Sequence, residues 1–172
     1  MQLKIIKSFI ISLSITTFVF QSHLYSNTST QKIDDYGIIS LMYHRFEENK
    51  YPSTNIRIND FLEHINIIKK NNIKFINPKE FENELINNKM QRKILLTIDD
   101  GFSSFYKNAW PILKKEKIPF ILFISTEPVG KNGYMTWRQI KEIENSNIGV
   151  IGHHSHTHDY LIDKSEKEFI SD

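Results

Sequence analysis

The stretch Lys93-Ile94-Leu95-Leu96-Thr97-Ile98-Asp99-Asp100-Gly101 decides how this chain is read: an apolar run of strand length is stopped by two carboxylates and a glycine. Such a run, bounded by a turn signal, suits a β-strand, and Gly101 permits the sharp turn that brings backbone close to a ligand. Adjacent Asp99 and Asp100 in extended backbone would point their side chains in opposite directions, so that one can bind a metal while the other faces a substrate. Taken alone, Asp-Asp-Gly is most often a solvated turn. Its place behind an apolar strand favours a site.

Working outward toward the N-terminus, residues 38–43 read as a buried strand that ends at Tyr43-His44-Arg45 and leads into a loop rich in Asn, Pro, Ser and Thr. Asn59 is expected to cap a helix in which Phe61, Leu62, Ile65 and Ile68 share one face, with Lys69 and Lys70 at its negative end. Residues 73–76 make a short strand, and Pro78 opens a second helix with Phe81 and Leu85 as its apolar stripe. Toward the C-terminus, Ser103 is expected to cap a third helix carrying Phe105, Ala109 and Ile112, which Pro111 should kink or divide. Residues 119–125 read as a fully buried strand, Thr136 and Gln139 as the capping box of a fourth helix, and residues 148–151 as a fifth strand.

Strands alternating with helices at this spacing predict an α/β domain of parallel β/α units, wound as an open sheet or as a barrel. In both architectures sites gather at the carboxyl ends of the strands. His44, the Asp99-Asp100 pair and a histidine cluster all follow predicted strands.

That cluster, His153-His154-Ser155-His156-Thr157-His158, holds four of the seven histidines. His154 and His158 are four apart, so a single helical turn or a tight loop brings both imidazoles within reach of one cation, while His153 and His156 face elsewhere. A borderline cation such as Zn2+ is well held by two imidazoles and one carboxylate, with a coordination position left for water. The plain alternative is a histidine-rich surface loop that picks up metal adventitiously; pairing with the aspartates favours a built site. His44 is either a hydrogen-bonded core or rim residue or a functional one. Trp110 and Trp137 read as core or rim packing rather than as sugar platforms.

With 172 residues, 40% hydrophobic and 24% charged, the chain has the composition of a soluble globular protein with one domain. Its start differs, because Lys4 and Lys7 precede an uncharged apolar stretch over residues 9–20, followed by the small-residue site Leu24-Tyr25-Ser26. This is the layout of a secretory signal peptide, and the run falls short of the roughly 20 residues that span a bilayer. Residues 1–26 are therefore expected to be a cleaved signal peptide and 27–36 a linker, with the domain in 37–172 and no stable membrane span after cleavage. Cleavage would remove two lysines and no acid, leaving 20 basic residues against 20 acidic, so the sequence pI of 8.6 is no pointer to nucleic acid. The absence of cysteine excludes disulfides and thiolate metal sites and suits an oxidising compartment.

Leu96-Thr97-Ile98-Asp99-Asp100-Gly101 resembles the first motif of the polysaccharide deacetylases with a NodB homology domain (carbohydrate esterase family 4), and His154-Ser155-His156-Thr157-His158 resembles their second, His-Ser/Thr-x-x-His. Leu41-Met42-Tyr43-His44-Arg45, Lys117-Ile118-Pro119 and Met135-Thr136-Trp137 are also similar to segments of that family, so that the resemblance runs from about residue 38 to 161. It implies that Asp100, His154 and His158 bind a divalent metal, zinc or else cobalt or nickel, that Asp99 is the general base, and that Ser155 steadies the histidine loop by hydrogen bonding. The implied reaction is hydrolysis of the acetamide on an N-acetylated sugar polymer, outside the cytoplasm: in the periplasm, the cell wall or the medium. Peptidoglycan, chitin-like oligomers and poly-N-acetylglucosamine all present that acetamide, and Tyr43-His44-Arg45 is similar to members acting on exported polysaccharide.

The family normally continues past its histidine motif with an Arg-x-Pro-Tyr segment, an Asp/Trp motif and a late Leu-x-His that supplies a general acid. Residues 162–172 hold only a capping-box helix start at Ser165 and Glu168. The expected fold is therefore a partial, about five-stranded NodB-type distorted β/α barrel without its C-terminal strands, which exposes an edge strand and apolar faces. Weak metal binding and little turnover are expected of it. A non-catalytic exported module that binds metal or carbohydrate is the alternative; a non-haem iron oxygenase, which uses a similar ligand set, is disfavoured by the order of the two motifs.

Overall fold

A computed structural model of the chain describes residues 37–87 and 91–172; the expected signal peptide and linker, residues 1–36, lie outside the described residues. Strand β1 (Gly37–Tyr43) runs parallel to the whole of β5 (Arg92–Ile98), from Gly37 beside Arg92 to Tyr43 beside Ile98. The other edge of β5 is shared. Its start, at Lys93 and Ile94, pairs with β4 (Lys74–Phe75), and its end, at Thr97 and Ile98, pairs with β6 (Phe120–Ile124). Strand β7 (Gly149–His153) lies parallel along all of β6. The result is a five-stranded parallel sheet in the order β1-β5-β6-β7, with β4 beside β5. This is the α/β architecture that the alternating pattern predicts.

Between β1 and the first helix, a segment expected to be loop forms a small parallel ribbon of β2 (Arg45–Phe46) and β3 (Asn55–Ile56). This ribbon changes how helix α1 (Ile58–Lys70) begins. Asn59 lies inside the first turn rather than at the cap. The side chain of Glu47, delivered by the ribbon, accepts from the Ile58 N–H at 2.6 Å and from Arg57 Nη1 at 2.8 Å, satisfying a donor that a local cap would otherwise have to meet. Phe61, Ile65 and Ile68 are buried as the 3.6-residue period requires, whereas Leu62 sits at the margin, 36% exposed.

Two other helices depart from expectation. A 3-10 turn at Pro78–Glu80, capped by Asn77, leads into α2 (Phe81–Asn87). Its Leu85 faces outward and Phe81 sits at the margin, and an ion pair from Glu84 to Lys93 ties α2 to β5. Pro111 divides the third helical segment as expected, without ending it. The backbone widens into a π turn over Phe105–Ala109, and proline then falls in the first turn of α3 (Trp110–Glu116), where a missing N–H costs no helical bond. Ser103 is itself helical and so is not the cap that the sequence suggested. Helix α4 (Trp137–Glu144) has the expected Thr136–Gln139 capping box, and α5 (Glu166–Ser171) has the Ser165–Glu168 box. Among the described residues no helix is long and apolar enough to cross a membrane.

The core lies between these helices and one face of the sheet. Ile94, Leu96 and Ile98 of β5 and Phe120, Leu122 and Ile124 of β6 alternate onto that face and are buried, as the period of two demands. Phe46, Phe61, Phe105, Phe120 and Trp110 form a chain of tilted and edge-to-face rings with centroids 5.1–5.9 Å apart, which links the ribbon, α1, the π turn and the sheet. Trp110 is thus core, while Trp137 stands 58% exposed.

Candidate metal centre

Strand register fixes which side chains meet at the carboxyl edge. Tyr43 pairs with Ile98 on the helix-packed face, and the ladder continues with Asp99 N–H donating to Tyr43 O at 2.8 Å. One residue further on, His44 and Asp99 therefore share the opposite face. Ile124 pairs with His153, so Ser125 and His154 occupy that same opposite face at the ends of β6 and β7.

At the end of β5 the chain leaves extended conformation. Asp100 and Gly101 are both left-handed, with φ of 70° and 73°. Asp100 thus diverges from Asp99 by a reversal of the backbone, not by the strand pleat that the sequence suggested. Glycine suits position 101 because its φ is one that side chains disfavour, and a Cβ there would also press on Ile124 Cδ1 at 2.8 Å. The loop after β6 closes over this turn through Met135 N–H to Gly101 O and Ser103 N–H to Gly133 O, each 2.9 Å.

The histidine cluster forms a tight loop rather than a helical turn. Its backbone is stitched to the end of β6: His154 N–H donates to Ile124 O at 2.9 Å, the buried Ser125 hydroxyl donates to His154 O at 2.7 Å, and Glu127 N–H donates to His156 O at 2.9 Å. Within the loop, His158 N–H donates to Ser155 Oγ at 2.9 Å, with both residues at positive φ. His156 turns away to Thr126 Oγ1, 2.7 Å from its Nδ1, and His153 Nδ1 accepts from Ser155 N–H at 3.3 Å.

These constraints bring together the Asp100, His154 and His158 side chains. Asp100 Oδ1 lies 3.3 Å from His154 Nε2 and 3.0 Å from His158 Nε2, the two imidazoles meet edge to face with centroids 4.9 Å apart, and the three ligand atoms lie within 4.8 Å of one another. Ligands of a tetrahedral ion at bond lengths of 2.0–2.1 Å stand about 3.3 Å apart, the spacing that Asp100 Oδ1 keeps from each imidazole nitrogen. Asp100 is 12% exposed in its side chain, and its Oδ1 has no hydrogen-bond partner. A buried carboxylate oxygen in that condition suits an ion.

Asp99 stays outside this group. It is 7% exposed, and its Oδ1 also lacks a hydrogen-bond partner. Burial raises its pKa above the ordinary aspartate value; electrostatic interactions with His44, His154 and His158 oppose the rise and the charge of Asp100 adds to it. His44 therefore belongs to the electrostatic neighbourhood of Asp99, a placement that strand register explains and that a lone histidine in a sequence does not disclose.

Two clefts open on the group. One, about 580 Å3, is lined by His154, His158, Tyr160 and Ile162; the other, about 330 Å3, by Asp100, His158, Arg45, Tyr51, Phe102 and Tyr134 among others. A larger groove of about 770 Å3 lies beside Lys114 and Glu142 and touches none of the three side chains. The Arg45 cleft was invisible in the sequence, since its walls come from four separated segments.

The polysaccharide deacetylase family model matches residues 86–172, a span that includes the Asp-Asp-Gly turn and the histidine loop. A Bacillus subtilis protein provisionally named a polysaccharide deacetylase is 29% identical over 123 residues, covering 70% of this chain and 42% of that protein. The poly-β-1,6-N-acetyl-D-glucosamine N-deacetylase of Staphylococcus aureus is 33% identical over 105 residues, covering 58% of this chain and 36% of the relative. Among solved structures, IcaB from Ammonifex degensii superposes with a TM-score of 0.67 at 30% identity, over 76% of this chain and 59% of that one. A Bacillus cereus polysaccharide deacetylase has the same fold, with a TM-score of 0.67 at 22% identity over 77% of this chain and 44% of its own. The chain thus spans less than half the length of the curated relatives it matches.

Proposed function

Because the chain belongs to the polysaccharide deacetylase family, we propose that it serves in hydrolysing the acetamides of an exported N-acetylglucosamine polymer, with Asp100, His154 and His158 holding a divalent metal, zinc before cobalt or nickel. The observation that carries this reading is the approach of two imidazole nitrogens to one unpartnered carboxylate oxygen. The likeness to the Staphylococcus aureus enzyme favours a β-1,6-linked polymer as substrate. Residues 1–26 act as the export signal and 27–36 as a linker to the deacetylase portion in 37–172.

A metal bound at this group supplies a Lewis acid for the acetyl carbonyl and makes water acidic enough to attack it. Asp99 takes the proton from the attacking water. Its burial leaves it a stronger base than a solvated carboxylate, and its free Oδ1 has no competing donor. His44, on the same sheet face and one strand away, returns a proton to the nitrogen as the C–N bond breaks, so acetate and a free amine leave. Ser125 and Ser155 keep the two histidines oriented through their backbone.

The test is acetate release from a β-1,6-N-acetylglucosamine oligomer by the zinc-loaded protein. Turnover should be abolished in Asp99→Asn, while calorimetry shows zinc still bound. Zinc uptake without acetate release in the unmutated protein would instead favour a non-catalytic module that binds metal or carbohydrate.

A further inference from the structure

The β2–β3 ribbon builds a second feature beside the metal group. The Arg45 guanidinium lies between two rings, its Cζ 3.4 Å from the Phe102 centroid and 4.0 Å from that of Tyr51. Its Nη1 donates to Glu48 at 2.9 Å, and its side chain is only 15% exposed. Backbone pairing of Arg45 N–H with Thr54 O at 3.0 Å fixes the base of the side chain. Phe102 follows Asp100 by two residues, so the stack and the metal group share one turn of chain and one cleft of about 330 Å3.

An arginine held in this way has both faces covered and only its planar edge free. Beyond the bond to Glu48, its N–H groups have no hydrogen-bond partner among the described residues. Five fixed donors on a mostly buried cation call for oxygen acceptors. Glu48 cancels the charge, so the acceptor need not be an anion. The cleft is at the small end of ligand pockets, which run from about 300 to 1,000 Å3, and so suits a single sugar residue.

We infer that Arg45, clamped by Tyr51 and Phe102, is the positioning residue that binds vicinal hydroxyl oxygens of an uncharged sugar residue and so delivers its acetamide to the Asp100–His154–His158 group. This inference rests on the deacetylase reading of that group. Arg45 acts on binding and orientation and takes no part in proton transfer. Lysine in its place would keep the charge and a partner for Glu48 but lose the planar edge and the ring stack.

The test measures binding of a β-1,6-N-acetylglucosamine pentamer by calorimetry alongside acetate release, zinc affinity and the melting temperature. Arg45→Lys and Arg45→Ala should each raise the pentamer Kd about tenfold, the worth of a charge-assisted hydrogen bond. KM should rise with Kd, kcat should change less than KM, and zinc affinity should hold. Tyr51→Ala, at an exposed position that the core does not need, should weaken pentamer binding in the same direction, and Tyr51→Phe should restore it. Unchanged Kd and KM in the Arg45 and Tyr51→Ala variants would overturn the inference, as would full rescue by Arg45→Lys, which would mark a merely structural ion pair. If the unmutated protein binds the pentamer with Arg45-dependent affinity but releases no acetate, the deacetylase reading fails and the Arg45 assignment stands. Failure to bind the pentamer at all overturns the assignment.

Discussion

Asp100, Ser155 and His158 stand at φ of 70°, 61° and 62°, and all three belong to or brace the candidate metal group. For a non-glycine residue that conformation costs on the order of 1–2 kcal/mol, least for Asp and Asn. Backbone and charge can be separated at Asp100, because asparagine keeps both the shape and the tolerance of a left-handed turn. Asp100→Asn should leave the metal-free protein at least as stable in urea, since a buried charge is removed, while zinc affinity by calorimetry falls by more than tenfold, on the order of a lost charged ligand. The residue types at this site were legible from the sequence: two histidines and a carboxylate after apolar runs. Their handedness was not. Asp99 and Asp100 read equally well as a pleat or as a turn, and only the closing loop over Gly101 selects the turn.

The helices show which local rules can be read ahead of the structure. Capping boxes three residues wide, at Thr136–Gln139 and Ser165–Glu168, need no tertiary information and appear where expected. Thr136→Ala should cost about 1 kcal/mol in chemical denaturation, the usual worth of such a cap. The start of α1 is different, because its cap comes from Glu47, eleven residues before Ile58, and reaches the helix only because β2 and β3 pair. No spacing rule reaches that far. The bond from Ile58 N–H, then the Arg57 guanidinium, hold the Glu47 carboxyl below the ordinary glutamate range. A lowered folded value means that this contribution is complete above the unfolded pKa and is lost as pH falls through the folded one. Denaturation midpoints followed from neutral pH into acid should therefore decline less steeply in Glu47→Gln than in the unmutated protein. Pro111 teaches the same lesson from the other side: its effect on the helix was foreseeable, but its accommodation by a π turn depends on Phe105 and Ala109 being buried against the sheet.

At the scale of the whole molecule, the parallel order of strands was readable from alternating apolar runs, but register was not, and register is what sets His44 beside Asp99 and His154 beside Ser125. An ion held between the ends of β5 and β7 joins chain segments that no local bond connects. Zinc at a hundred times its dissociation constant should stabilise the fold by about 2.7 kcal/mol. The melting temperature should rise on the order of 10 °C, and the rise should vanish in a His154→Ala/His158→Ala double variant. Because the helices pack on one side of the sheet while His44, Asp99 and His154 project from the other, changes on the two sides should fail in different ways. In a saturation library screened separately for abundance and for chemistry, hits at Phe46, Leu96 or Phe120 should vanish from both screens, whereas those at His44 or Asp99 should accumulate normally and be silent only in the second, so evolution can retune what this protein acts on without rebuilding what holds it up.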